Sequence, residues 1–505
     1  MTAVSIEKNN STGAEGLEVR PAGQQSDGPL SANKQFAIAI TLASYCGMIL
    51  VGVSHHEPWA DEAQAWLLSR DLGYRYLIFH QIAYEGHPPL WFTILWIANH
   101  WFHLPYQSIG WIGGLCAIAG CWFFCRYSPF PFWVRVLFPF TYFMGFQYAI
   151  VARPYVLFPL CTFAAAHFFA EAERRPWRFV SATSALVLLS AHGVMIAAGL
   201  VAARVWYTFR LWKDVPPDTR KRLVGALVVF GMVMAFVAWV DWPPADRSTV
   251  RFNRPASEGT YGLAILPDDI ATAFFGSAIP SVAFLVVMGA SCACRRRFLP
   301  FVLSVALVLV FFVAVYVHLW HRGVLVMAAV AALWIAWTAP EKCAPKLAKG
   351  LNVLMLVGVT GFFAVNLYWT ARTLEMDYFG PYSGSLDAAN FLRSVGADAR
   401  STCGFGIHSV AIQAYFPESI FQNYPHGESF WRLERGNRIE ENCYDAKWAV
   451  VPRCCSFDTA QRQFDREDET LRSYGYVPVH VSRGSVFFEG RVAMPADFVI
   501  YELSR

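Results

Sequence analysis

The chain has 505 residues, of which 55% are hydrophobic, 16% aromatic and only 15% charged. Soluble domains carry about 25% charged residues, so this chain lacks the charge to clothe a soluble fold, and its mean hydropathy of +0.35 agrees. That excludes an ordinary soluble enzyme and any disordered or collagen-like chain, while a net charge of +4 with no basic stripe excludes a nucleic-acid partner.

Residues 1–34 are polar and rich in Ser, Gly and Asn, and are expected to form a disordered cytoplasmic tail. No short apolar core with a cleavage site opens the chain, so no signal peptide is expected. Twelve apolar runs follow, near 36–53, 89–103, 107–125, 131–150, 153–171, 178–192, 193–212, 222–241, 270–292, 298–317, 322–339 and 350–370. A crossing needs about 20 mostly apolar residues.

Basic clusters at Glu171–Arg178, Lys213–Arg222, Arg295–Arg297 and Lys342–Lys349 belong in the cytoplasm by the positive-inside rule. The N-terminus is then cytoplasmic, and the segments 54–88, 243–269 and 318–322 lie outside, as does everything after the last helix. Both ends of the stretch 88–152 are outside, so it crosses an even number of times. The run 89–103, short and rich in Trp and His, is the one expected to lie along the membrane surface. The pattern predicts eleven transmembrane helices, with thirteen as the fallback, over residues 35–374. The first outer loop spans 54–106.

From residue 375 charge and turn residues return. Ser385–Val395 reads as a helix with Ser385 as its cap. Ala446–Val451 and Phe498–Tyr501 read as strands, and Val477–Phe488 as a hairpin turning at Arg483-Gly484. Residues 375–505 are expected to form a soluble extracytoplasmic α/β domain. Of twelve cysteines, eight lie in or beside apolar stretches, where Cys is usually a small hydrophobe. The other four, Cys403, Cys443, Cys454 and Cys455, allow two disulfides outside the membrane, with the adjacent pair taking separate partners. None of the spacings suits a zinc site.

The polar groups collect on the outer side. The first loop reads His55-His56-Glu57-Pro58-Trp59-Ala60-Asp61-Glu62 and then Tyr84-Glu85-Gly86-His87-Pro88-Pro89-Leu90-Trp91. A carboxylate in a partly dry pocket acts as a general base, and carboxylate with imidazole holds a divalent metal. Arg153 and Tyr155 open a span, His192 sits in an apolar hairpin, and His318, His321 and Arg322 meet the outer ends of two others. Ionisable groups at membrane depth are costly and usually functional. Together they describe an outward cavity in which cations hold a lipid phosphate and carboxylates serve an acceptor.

Asp61-Glu62 soon after the first span, then Glu85-Gly86-His87-Pro88-Pro89-Leu90-Trp91, then Ala152-Arg153-Pro154-Tyr155, resembles the GT-C membrane glycosyltransferases of the family-39 type. These include protein O-mannosyltransferases and the bacterial aminoarabinose transferases of lipid A. The motifs cover roughly residues 36–240. The resemblance implies a GT-C-like α-helical fold and transfer of a sugar from a polyprenyl-phosphate donor to an acceptor hydroxyl at the outer face. It implies Asp61 as catalytic base, with Glu62 supporting it. His87, Arg153 and Tyr155 would contact the donor phosphate or the sugar, as would His192, His321 and Arg322, which no motif fixes. Position 87 is His where the aminoarabinose transferases commonly have Lys. Glu85 and His56 are the candidate ligands of a divalent ion (Mg, Mn or Zn), and no nucleotide cofactor is expected. A single displacement would invert the anomeric centre. The acceptor, whether glycan, lipid or protein, is not specified by the sequence.

Two other classes compete. A lipid-linked sugar transporter or flippase predicts internal repeats and charges near span midplanes, whereas these charges gather at one face. A non-catalytic envelope-assembly scaffold would tolerate loss of Asp61. The missing eukaryotic luminal domains and the lack of outer glycosylation sequons favour a bacterial inner membrane, which is the expected location.

Overall fold

The structure, a computed structural model, describes residues 31–246, 266–424, 427–433, 443–454 and 457–504. Leaving aside short helical turns, its helices are α1 (Ala32–His55), α2 (Ala60–Asp71), α3 (Leu90–His100), α4 (Ser108–Tyr127), α5 (Phe158–Phe169), α6 (Pro176–Val187), α7 (Ala191–Arg210) and α8 (Pro217–Val240). After these come α9 (Leu266–Phe274), α10 (Ala278–Cys294), α11 (Phe298–Ala314), α12 (Gly323–Trp337) and α13 (Pro345–Phe379). The C-terminal part adds α14 (Ser385–Ser394), β1 (Thr402–Gly404), β2 (Trp448–Cys454), α15 (Phe457–Ser473), β3 (Tyr476–Ser482), β4 (Ser485–Phe488) and β5 (Arg491–Leu503). The predicted class, an apolar helical body followed by a small α/β unit, is what the chain forms.

The sequence pattern predicts eleven crossings. Among the described residues, five helical stretches are long and apolar enough: α1, α4, α8, Leu319–Trp337 and α13. The pair α9–α10, bent by 77°, makes a sixth if counted as one span. The run 131–150, predicted to cross, is not one helix. It breaks into a turn of α-helix at Phe132–Leu137, a 3-10 turn at Phe138–Phe140 and a π turn at Phe143–Gln147. Pro139 removes a donor and clashes with the preceding turn. The irregular backbone that results is buried from Tyr142 to Tyr155, and burial inside protein is where a membrane body tolerates it. Helix α3, with 11 residues, is about 16 Å long, short of a hydrocarbon core of about 30 Å, as is α6 with 12 residues in a run predicted to cross.

Two close approaches fix the ground plan of the site. A Cβ on Gly114 of α4 would lie 2.7 Å from Ile49 Cγ2 of α1, and one on Gly113 would lie 3.3 Å from Ala152 Cβ. Small residues thus let α4 lie against α1 on one side and against the Ala152–Val156 segment on the other.

Helix α13 has 35 residues, about 52 Å of helix. It outruns the bilayer and passes through residue 375, the expected domain boundary, as unbroken helix. Its last turns support the C-terminal sheet, whose strand order is β1-β2-β5-β3, with β4 also on β5. The β1–β2 pair is parallel and the others antiparallel.

The predicted hairpin at Arg483-Gly484 is not there. Strands β3 and β4 lie end to end along the same neighbour, with Tyr476 opposite Leu503, Ser482 opposite Phe498 and Ser485 opposite Pro495. The chain reverses at Glu489-Gly490, where φ is +52° and +76°, the two left-handed residues that a tight hairpin turn demands. At Gly484 the strand is interrupted because Ser485 N–H donates to Pro381 O and Gly484 N–H to Asp497 Oδ1. Phe487 and Phe488, at the hairpin end, belong to the same apolar core as α1 and α4–α13. A second core joins α2 and α3 to the C-terminal unit through Leu67, Trp91, Leu392, Ile412 and Phe498.

In α14 the cap position falls to Gly384, and Ser385 is its first helical residue. Cys403 and Cys443 form a disulfide, with Cα atoms 6.3 Å apart. Cys455 lies outside the described residues, as do residues 1–30. Cys294 and Cys343, expected as small hydrophobes, are also paired, with Cα atoms 5.0 Å apart, although the basic clusters beside them assign this end to the cytoplasm, where such bonds are rare. The end of α10 and the loop before α13 meet there.

Candidate active site

The first turn of α2 organises the site through Glu62. Its Oε2 accepts from Trp59 N–H at 3.1 Å and faces His56 Nε2 at 3.3 Å. Its Oε1 accepts from Ala152 N–H at 2.7 Å. A carboxylate near a helix N-terminus also complements the helix dipole. Glu62 is fully buried, and every one of these partners is a donor, so its oxygens are spoken for.

On the other side of His56, Nδ1 lies 3.0 Å from Asp377 Oδ2, near the end of α13. Burial alone would lower the pKa of His56. The carboxylates of Asp377 and Glu62 more than reverse this and hold it at about 10. The ring is therefore an imidazolium bridging two buried carboxylates. It ties together the ends of α1 and α13 and the start of α2.

Asp61, one residue earlier than Glu62, points about 100° around the helix into a cavity of about 520 Å³. Arg153 Nη2 lies 3.0 Å from Asp61 Oδ2. The guanidinium rests over the Trp320 ring, 4.9 Å from its centroid. Arg153 Nη1 is buried and has no hydrogen-bond partner among the described residues. The backbone bond from Ala152 to Glu62 and the ion pair from Arg153 to Asp61 thus join one loop to consecutive residues of α2.

Deeper in the cavity, Tyr155 Oη lies 3.1 Å from His192 Nδ1. The His192 and His321 rings are 4.6 Å apart. His318 N–H donates to His321 Nδ1 at 3.0 Å. An N–H can only donate, so Nδ1 is unprotonated and a neutral ring carries its proton on Nε2. Nε2 of both imidazoles is buried and without a partner among the described residues. His318 itself, at the mouth of Leu319–Trp337, is pushed down to about 4, first by burial and further by Arg153 and Arg322 against the pull of Asp61.

His87, whose ring centroid lies 6.2 Å from that of Tyr155, lines the cavity too, and so does Glu85. Its Oε1 accepts from Gln64 Nε2 at 3.2 Å and Gln81 Nε2 at 3.4 Å. Gln64 also exchanges two hydrogen bonds with the backbone of Trp431, at 2.7 and 2.9 Å, which seats the C-terminal unit on α2. That unit closes the cavity with Ile407, His408 and Val410. The remaining wall is apolar, built by Val194 and Met195 of α7, Met234 and Val237 of α8, and Phe311 and Val315 at the end of α11.

Of the sequence candidates, Asp61, Glu85, His87, Arg153, Tyr155, His192 and His321 converge on this one cavity. Glu62 and His56 lie behind it. Arg322 turns away to α9, where it bonds Asp269 Oδ1 at 2.8 Å and Asp268 Oδ2 at 2.9 Å. Asp241 lines the cavity, and Asp246 accepts from Tyr84 Oη at 3.2 Å. Arg247, Arg251, Arg254 and Glu258, of the same outer segment, lie outside the described residues. Sequence reasoning missed Asp377, Trp320, Tyr316 and His408.

The expected metal ligands do not fit together. Both ring nitrogens of His56 face carboxylates, and the ring is outside the cavity that Glu85 lines. Among the described residues no group of three or more His, Cys, Asp or Glu is arranged to hold a metal ion.

No family model matches the sequence, and no curated protein matches it. A solved structure similar to the chain is the crystal structure of ArnT from Cupriavidus metallidurans bound to undecaprenyl phosphate. The two share 13% identity with a TM-score of 0.49, over 92% of this chain and 98% of that one. A likeness of that degree does not carry an activity across.

Proposed function

We propose that the chain is an integral-membrane glycosyltransferase of the GT-C type. It moves a sugar from a polyprenyl-phosphate donor to an acceptor hydroxyl, with Asp61 as the general base. The observation that carries this reading is the pairing of Asp61 with Arg153 at the edge of a cavity that has buried imidazoles on one side and an apolar wall on another. An isoprenoid chain needs the apolar wall, its phosphate needs Arg153 and donors such as His321 Nε2–H, and the acceptor needs the carboxylate. The motif resemblance of Asp61-Glu62, Pro88-Pro89 and Arg153 points the same way.

In the reaction, the acceptor hydroxyl gives its proton to Asp61 while its oxygen bonds to the anomeric carbon. The bond from that carbon to the phosphate oxygen breaks, and the electron pair leaves with the polyprenyl phosphate. Attack from the side opposite the leaving group inverts the centre. Phosphate leaves readily, so the work of the protein is alignment and neutralisation of developing charge. Arg153 can share its guanidinium between Asp61 and the phosphate, since Nη1 and Nη2 form a planar fork. Glu62 acts through position: it holds Ala152 and Trp59 and so sets where Arg153 and Asp61 stand.

The test is binding and turnover of a radiolabelled polyprenyl-phosphate sugar by the purified protein. Asp61→Asn is expected to lower hydrolysis or transfer by roughly 10²–10⁴-fold, the usual range for a positioned base, with donor binding retained. A wild-type protein that neither binds nor consumes any lipid-linked sugar overturns the proposal.

A further inference from the structure

A second cavity lies at the other end of the helical body. It measures about 310 Å³, within the size range of ligand sites, and is walled by Phe124, Phe138, Phe284, Met288, Val330 and Phe362. Arg295 forms its polar margin. The guanidinium lies over the Trp337 ring at 4.5 Å, and its Nη2 contacts Glu341 Oε1 at 2.6 Å. The cavity opens past Asn352 and Leu356, both exposed. The same two residues line an open groove shared with Glu341 and Lys349, so the apolar cavity and the polar groove are continuous.

The chain around this mouth is strongly basic. Arg295, Arg296 and Arg297 follow α10, Lys342 precedes α13, and Lys346 and Lys349 lie in its first turns; Glu341 is the carboxylate among them. Arg296 and the three lysines are exposed. An apolar pocket running into a cationic groove matches a molecule with a hydrocarbon tail and an anionic head. By the positive-inside rule this end faces the cytoplasm, where anionic lipids attract basic residues near the surface.

We propose that this cavity takes one acyl chain of an anionic glycerophospholipid of the cytoplasmic leaflet, with the headgroup phosphate held among Arg296, Lys342 and Lys349. It is separate from the Asp61 cavity and does not depend on the activity proposed for that site.

The experiment uses the full-length purified protein and phosphatidylglycerol bearing a photoreactive group on one acyl chain, with matched phosphatidylcholine as comparison. Cross-linked peptides are mapped by mass spectrometry. Adducts are expected on the segments around 284–288 and 355–363, several-fold more from phosphatidylglycerol. Lys342→Gln with Lys349→Gln changes only exposed side chains and is expected to lower the yield by roughly fivefold per residue, the worth of one basic group near an anionic surface. Val359→Trp, which fills the cavity, is expected to abolish those adducts while leaving the lipid-facing surface labelled. Equal labelling by the two lipids means ordinary bilayer contact and overturns the proposal. So does preferential displacement by a polyprenyl phosphate, which would make the occupant a carrier lipid.

Discussion

Replacing Asp377 by Asn removes one of the two carboxylates that hold His56 as an imidazolium. The rise of the His56 pKa from 6.5 to about 10 corresponds to on the order of 5 kcal/mol at about 1.4 kcal/mol per pH unit. Two carboxylates share that stabilisation, at 3.0 and 3.3 Å. Loss of one is expected to cost about 2–3 kcal/mol, in line with a buried charged hydrogen bond and below the cost of fully orphaning a buried charge. The pH dependence has a definite sign. In the unfolded chain the imidazole titrates at 6.5, whereas in the folded chain it titrates at about 10. The stabilisation is therefore complete below pH 6.5 and drains away as the pH rises to about 10. In Asp377→Asn the folded-state value falls, so the variant has less to lose. Equilibrium unfolding in mixed micelles, wild type against variant, is expected to show the largest gap at the acidic end of this window, narrowing towards its alkaline end. A gap under about 0.5 kcal/mol, the level of an ordinary surface substitution, or one that does not change with pH, would refute the bridged imidazolium.

Arg153→Lys keeps the positive charge but loses the fork. The ion pair with Asp61 is expected to survive while affinity for a polyprenyl phosphate falls at least tenfold, roughly one charge-assisted hydrogen bond. Titration with the lipid phosphate checks this, and wild-type affinity in the variant would rule out a two-armed arginine. Gly490→Val places a branched side chain at φ +76° with its Cβ 2.9 Å from Arg372 Cβ. A loss of about 1–3 kcal/mol from the strain alone is expected, read by thermal unfolding, together with loosening of the C-terminal unit read as faster proteolysis.

Much of the site was legible because its residues are out of place. Asp61, Arg153 and His192 are ionisable groups beside apolar runs, and a membrane chain does not carry such groups without reason. What the sequence hid is the long-range partner. Asp377 closes the stretch Thr373-Leu374-Glu375-Met376-Asp377, which looks like any helix leaving a bilayer. Only the fold brings it 3.0 Å from His56, 321 residues away. Without that partner His56 reads as a free imidazole, hence as a metal ligand. Glu62 was drawn to the cavity by its neighbour Asp61, although a step of one residue along a helix turns a side chain to another face. The hairpin misread has a similar origin. Arg483-Gly484 and Glu489-Gly490 are alike as short turn signals, and register decides between them. Thirteen residues of β5 pair with both β3 and β4, and the sequence shows neither the length of that strand nor its two partners. The broken segment 131–150 was hidden because hydropathy counts apolar residues and cannot tell a helix in lipid from an irregular segment wrapped in protein.

Strand β5 comes after β2, β3 and β4 in the chain and is the strand that all three share. At 5–20 residues per second, the membrane helices have been made for many seconds before it emerges. Through that interval the slot that receives Phe487 and Phe488 is empty, and His408 has no sheet to hold it over the cavity. Assembly of the cavity thus waits on β5. A nascent chain that stalls before β5 leaves a helical body whose sheet lacks its shared strand.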